Sequence, residues 1–211
     1  MLKLGASIGM LPVIGAAYSE KISAATRVTP EQTKGPFYPI HQQLDKDADL
    51  TRIDGREKQA SGTIINVLGR VLSPEGNPLA NAMVEIWQAN TYGRYRHARD
   101  PNPAKLDPDF QGWGIARSDA QGFYRFLTIM PGAYPAGPGW MRPAHIHFKV
   151  VLQNYRTLIT QMYFPGNKYN SHDLILQNLS EADQQMVISK AVAKQNGADS
   201  FQFDIVLQPE T

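Results

Sequence analysis

His145 and His147, separated by one residue, are the first side chains in this sequence whose types and spacing could do chemistry. They stand in the run Arg142-Pro143-Ala144-His145-Ile146-His147-Phe148-Lys149-Val150, which has the apolar, β-branched character of a strand. In a strand, residues i and i+2 share a face, so both imidazoles can converge on one metal ion while Ile146 turns to the opposite side. The pair by itself suits zinc, copper or ferrous iron and so does not name the metal. Packing or surface histidines are the competing reading. The chain has no cysteine, which excludes disulfides, iron–sulfur clusters, thiolate zinc sites and a cysteine nucleophile. Any metal must therefore be held by histidine, tyrosine or carboxylate.

The elements that must position such a pair read as strands. Residues 64–71 and 82–88, on either side of Ser73-Pro74-Glu75-Gly76-Asn77-Pro78, predict one hairpin. Residues 114–118 and 123–128, around Asp119-Ala120-Gln121-Gly122, predict a second. Residues 144–152, 158–164 and 201–207 predict three more strands, and the whole reads as an all-β fold, an antiparallel β-sandwich with long loops. One short helix is expected in the C-terminal half. Ser180 is its N-cap, Glu181 and Asp183 lie in its first turn, Ala182, Met186, Val187, Ala191 and Val192 supply its apolar face, and it ends near Gly197. The segment 91–112 holds three prolines and little periodicity, and a loop of that length in a compact domain tends to be functional.

Composition bounds the rest. A chain of 211 residues with 42% hydrophobic and 19% charged residues is that of a soluble globular protein with one sizeable domain. Its 21 basic and 19 acidic side chains are spread without a basic run, so nucleic acid is not an expected partner. Residues 1–17 combine an early lysine with an apolar, small-residue stretch and resemble part of a signal peptide, which would send the chain to the periplasm. The alternative is an N-terminal arm on a cytoplasmic protein. The stretch is too short and too interrupted by glycine and proline to read as a membrane span. The expected division is a signal-like or flexible segment at 1–28 and a catalytic domain at 29–211.

Several motifs occur in one order: Trp87-Gln88-Ala89-Asn90, Gly93-Arg94-Tyr95-Arg96-His97, Leu106-Asp107-Pro108, Pro131-Gly132-Ala133-Tyr134-Pro135 and the histidine run above. Together they resemble the intradiol ring-cleavage dioxygenases, in particular the protocatechuate 3,4-dioxygenase β-type subunit, over residues 29–207. The resemblance implies an oxidoreductase that uses dioxygen to cleave a catechol-type ring between its two hydroxyls, giving a muconate-type dicarboxylate. It also implies a mononuclear non-haem Fe(III) held by Tyr95, Tyr134, His145 and His147, with Tyr134 and His147 axial and Tyr134 released when substrate binds. Phenolate is a hard anionic oxygen donor and favours ferric iron over zinc, in keeping with that ligand set. By the same resemblance Arg142 stabilises charge on the bound ring, and Gln161 lies close to the iron. Gly35 and Pro36, in the stretch from Thr29 to Tyr38, help to wall the pocket. His97 shares a face with Tyr95 but has no counterpart among the family's ligands. The implied assembly is a homo-oligomer or a complex with an α-type subunit.

This chain departs from the family after the second tyrosine. Tyr134-Pro135-Ala136 replaces the Tyr-Pro-Trp of some protocatechuate enzymes, and the loop before Trp140 is short, so protocatechuate itself is not implied as substrate. Two other readings stand beside this one. Residues 69–131 also resemble transthyretin-like binding modules, which have no such ligand set, and a His-X-His pair also occurs in cupin-type metal enzymes.

Overall fold

The computed structural model describes residues 27–40 and 45–210, so the signal-like reading of the first residues lies outside the described part. Along the chain run β1 (Ile64–Leu72), β2 (Met83–Trp87), β3 (Trp113–Arg117), β4 (Phe123–Ile129), β5 (Tyr134–Gly137) and β6 (Trp140–Arg142). They are followed by β7 (His145–Val151), β8 (Leu158–Tyr163), α1 (Leu174–Gln177), α2 (Glu181–Val187), β9 (Lys190–Gln195), β10 (Ala198–Gln202) and β11 (Ile205–Val206). A four-stranded sheet in the order β3-β2-β7-β8 faces a five-stranded sheet centred on β1, and β5 and β6 form a separate two-stranded hairpin. Among the described residues no helix is long and apolar enough to cross a membrane.

The core lies between the two sheets because the strands alternate. Val84 and Ile86 of β2, Ile146, Phe148 and Val150 of β7, and Met162 of β8 pack with Ile65 and Val67 of β1 and Phe126 of β4 in one buried cluster. The other residues of β2, β7 and β8 must then point to the outer face of the four-stranded sheet. There they meet a second, aromatic cluster of Trp87, Ala89, Tyr95, Trp113 and Tyr134, with Phe37 and Tyr38 packed against it.

The sandwich expected from sequence is present, with three local corrections. Neither predicted hairpin is a ladder: β1 pairs with β4, whereas β2 pairs with β3 and β7, so both turn-rich connections carry the chain from one sheet to the other. A turn signal marks a reversal but not which neighbour each strand takes afterwards. The helix begins at Glu181, with Ser180 accepting a hydrogen bond from Asp183 N, but ends at Val187. Ala191 and Val192 belong to β9, which turns into β10 at Asn196 and Gly197, both at positive φ (51° and 79°). An Asn-Gly pair favours this kind of hairpin and outweighs the helical periodicity before it. The expected strand at 201–207 is divided between β10 and β11, both of which run parallel to β1, so the five-stranded sheet is mixed.

Candidate metal centre

The outer face of the four-stranded sheet carries a row of residues in register. Trp113 of β3 lies opposite Trp87 of β2, Trp87 opposite His147 of β7, and His147 opposite Gln161 of β8. His145 lies opposite Tyr163 at the end of the same face. Two irregular segments bring the tyrosines over this row. The loop 88–112 has little regular backbone bonding and is held by its own polar side chains. Asn90 Oδ1 accepts from the backbone N–H groups of Tyr92 and Arg94 (2.9 and 3.1 Å), and Asp100 Oδ2 accepts from Tyr95 N at 2.7 Å. Tyr134 begins the β5–β6 hairpin. The two segments touch backbone to backbone: a Cβ on Gly93, whose φ is +78°, would lie 2.5 Å from Ala133 O, and one on Gly132 would lie 2.5 Å from Gly93 N. Only glycine permits that approach, which sets the Tyr95 and Tyr134 rings 5.7 Å apart, edge to face.

Four rings surround one point. His145 and His147 lie 5.0 Å apart between ring centroids, Tyr95 lies 6.1 Å from His147, and Tyr134 lies 5.7 Å from His145. All four residues are buried. His145 Nδ1 sits 2.7 Å from Pro143 O, so that nitrogen carries the proton and Nε2 presents its lone pair. The Tyr95 hydroxyl lies 3.2 Å from this Nε2 and donates to it. A cation in place of that shared proton would meet a phenolate oxygen and an imidazole nitrogen together. His147 is held by stacking, with Trp87 parallel to it (8°) at 4.8 Å, and its buried Nδ1 has no hydrogen-bond partner among the described residues.

Electrostatics keep the four donors uncharged. Burial, with Arg142 close by, pushes both imidazoles well below the ordinary histidine range, so at neutral pH they are uncharged donors. Burial pushes the Tyr95 phenol well above its usual range, with Tyr134 adding to the effect, and burial raises Tyr134 as well. The phenols therefore keep their protons until a strong Lewis acid displaces them. Among the described residues no three imidazoles or carboxylates gather around one point; the donors that do gather are two imidazoles and two phenols. That set suits a hard, highly charged ion and fits ferric iron.

Arg142, at the end of β6, is buried beside the rings. Its Nε donates to Asp173 Oδ2 at 2.7 Å, and its Nη2 to Gln161 Oε1 at 2.6 Å and to the Tyr163 hydroxyl at 3.3 Å. Burial would lower its pKa, but the Tyr163 and Tyr134 phenols and the Asp173 carboxylate outweigh that and raise it. Gln161 also donates through Nε2 to Thr33 O at 3.0 Å, and its backbone N–H donates to Gln32 Oε1 at 3.1 Å. Both ends of its amide are thus engaged, one with Arg142 and one with the N-terminal arm at residues 29–40. That arm places Gly35 against the centre, where a Cβ would lie 3.2 Å from His147 Cε1, and Pro36 follows in an exposed turn.

Every metal and catalytic residue expected from sequence is gathered here. His97 is not among them, and its Nδ1 accepts from Arg99 N within the loop. Sequence reasoning missed Asp173, Tyr163, the stacking of Trp87 on His147 and the tilted packing of Phe37 against Tyr95. It also missed the buried Glu85 behind Trp87, which accepts from Tyr38 and Trp113 (2.8 and 2.7 Å) and pairs with Lys149 at 3.3 Å. Glu85, Trp87, His147 and Lys149 alternate on paired strands, a signal legible once the pairing is known. Asp173 has no spacing signal.

Comparison with known proteins finds dioxygenases. The dioxygenase family model matches residues 33–209. The chain is 42% identical over 187 residues to the protocatechuate 3,4-dioxygenase beta chain of Burkholderia cepacia, covering 84% of this chain and 80% of that one. It is 33% identical over 161 residues to catechol 1,2-dioxygenase 2 of Acinetobacter lwoffii, covering 67% of this chain but only 53% of that longer relative. The dioxygenase domain of a carbohydrate-binding fusion from Streptomyces sp. SirexAA-E superposes with a TM-score of 0.65 at 25% identity, over 87% of this chain and all of that domain. These comparisons give no support to a transthyretin-like binding module. With matches that span nearly all the described residues and a centre built from two imidazoles and two phenols, the chain belongs to the intradiol ring-cleavage dioxygenases.

Proposed function

We propose that Tyr95, Tyr134, His145 and His147 hold the ferric iron with which this dioxygenase opens a catechol-type ring to a dicarboxylate. The observation that carries the reading is the Tyr95 hydroxyl donating to His145 Nε2 at 3.2 Å among four converging rings, a proton standing where a cation would join the same two atoms. When bound there, ferric iron supplies the Lewis acidity that draws the protons from catechol oxygens and takes electron density from the ring. The protein's part is to orient, to exclude water and to move protons. Tyr95 is the fixed phenol, because Asp100 ties its backbone N–H. Tyr134, on the small β5–β6 hairpin and slightly more exposed (8% against 3%), would stand as phenolate beside the bound ion and is the group that would accept a catechol proton at Oη, becoming the neutral phenol. Arg142 holds negative charge on the substrate oxygens through Nη1, which makes no hydrogen bond among the described residues. Gln161 acts through Arg142 and the arm, since both ends of its amide are taken. Gly35 and Pro36 wall the pocket beside His147.

The natural ring is left open by the exposed Pro135 and Ala136 of β5, where a smaller wall admits substituted catechols. The name beta chain borne by the 42% identical relative supports assembly with a further subunit, either an α-type chain or copies of this one. The catalytic unit is residues 29–211; in its support, Thr29 is tied to β11 through Thr29 N to Val206 O (3.0 Å) and Val206 N to Thr29 Oγ1 (2.9 Å). The test is the visible spectrum of the iron-loaded protein, with products identified from catechol, protocatechuate and hydroxyquinol. A tyrosinate-to-iron absorption and an intradiol diacid are expected. A colourless protein with one iron per chain overturns the ligand set.

A further inference from the structure

We propose that Asp173 is a positioning residue for the ring-cleavage chemistry, clamping Arg142 so that one edge of its guanidinium alone is presented to the substrate; this rests on the function proposed above. Asp173 is fully buried and lies 31 residues after Arg142, with no motif linking the two. Its Oδ2 takes the Arg142 Nε–H at 2.7 Å and the Trp140 Nε1–H at 3.4 Å, while its Oδ1 accepts from Leu176 N at 2.8 Å, which locks the carboxylate to the first turn of α1. On the other side, Gln161 Oε1 and the Tyr163 hydroxyl take Nη2. The Trp140 ring lies 5.8 Å from the guanidinium carbon. A guanidinium is planar and rigid, so fixing Nε and Nη2 also fixes the direction of both Nη1 protons.

The clamp also answers a charge problem. An arginine buried without a counter-ion is strongly unfavourable, and one left mobile would bond whichever oxygen was nearest. Asp173 is the only carboxylate paired with Arg142 among the described residues. A preorganised donor stabilises charge as it develops because nothing has to reorganise at the moment of reaction. The carboxylate therefore acts on the rate through Arg142 without touching substrate or metal.

The experiment uses the iron-loaded full chain. Asp173→Asn keeps the acceptor for Leu176 N and removes the charge. It should lower kcat/KM for catechol by about tenfold to a hundredfold, mainly in kcat, with iron content and tyrosinate absorption unchanged. In an Arg142→Gln background the same change should cost less than about twofold, because the group it positions is gone. Asp173→Glu should recover part of the loss. Equal losses in both backgrounds, or wild-type kcat/KM in Asp173→Asn, overturn the proposal. Should Asp173→Asn fail to fold, the Arg142 Nε–H signal of the wild-type protein, assigned by its absence in Arg142→Gln, decides by hydrogen exchange: strong protection upholds the clamp and exchange at the rate of a surface arginine overturns it. That measurement needs no turnover, so it stands apart from failure of the function itself, which would show as an iron-replete wild type inert toward every catechol offered.

Discussion

The two faces of β7 solve opposite problems with one backbone. Ile146, Phe148 and Val150 face the other sheet and need only volume and shape, while His145 and His147 face outward and need fixed direction. The inner face is held by close packing, where neighbours of the right size substitute for one another at modest cost. On the outer face each group is fixed by a specific partner, His145 by Pro143 O and His147 by the Trp87 ring, and Arg142 of the neighbouring β6 is likewise fixed by Asp173. Close packing therefore lies on one face and the proposed metal donors on the other, one residue apart.

Adjacent substitutions should break that comparison if it is wrong. His147→Ala should lose the iron and with it essentially all turnover, with a circular dichroism spectrum like the wild type; iron retention measured by mass spectrometry checks this. Phe148→Ala, next in sequence, should instead cost about 3–5 kcal/mol of unfolding free energy by urea titration, and what remains folded should still bind iron. If the two substitutions had similar effects on iron and on stability, the division between faces would be gone.

Acid should sharpen the contrast in the metal-free chain. Both imidazoles have folded pKa values well below the unfolded value of about 6.5, so the unfolded state takes up protons first as pH falls. Their contribution is neutral above that value, and below it stability falls by at most about 1.4 kcal/mol per imidazole per pH unit. Urea midpoints at pH 7 and pH 5 should differ in that direction, and bound iron should reduce the difference. The smallest effect is expected at the pocket wall. Gly35→Ala forces an L-residue to a φ of +71° and brings a Cβ to 3.2 Å from His147 Cε1, so it should cost about 1–2 kcal/mol and shift the tyrosinate band slightly.

Much of the proposed centre was legible in the sequence because strand geometry is local. A period of two put His145 and His147 on one face, and ordered motifs supplied Tyr95, Tyr134, Arg142 and Gln161. The expected helix runs past Val187 because apolar spacing at 191 and 192 fits a helix as well as an exposed strand, and Gly197 can close a helix as well as, together with Asn196, a hairpin. The hairpins were misread for a related reason: a turn shows where the chain reverses, while strand pairing depends on which sheet has room.

By itself, then, the sequence determined the strand that carries His145 and His147 on one face, the sandwich class and the absence of cysteine, and its resemblance to a family offered the proposed donors. Only the tertiary structure decided that the centre sits on the outer face of the four-stranded sheet, that Gly93 against Ala133 and Gly132 brings the two tyrosines together, and that Asp173 balances Arg142. The physical reason is range. Side-chain direction along a strand follows from adjacent backbone angles, whereas a buried charge finds its partner only after distant segments have packed, and nothing in their spacing along the chain records the meeting.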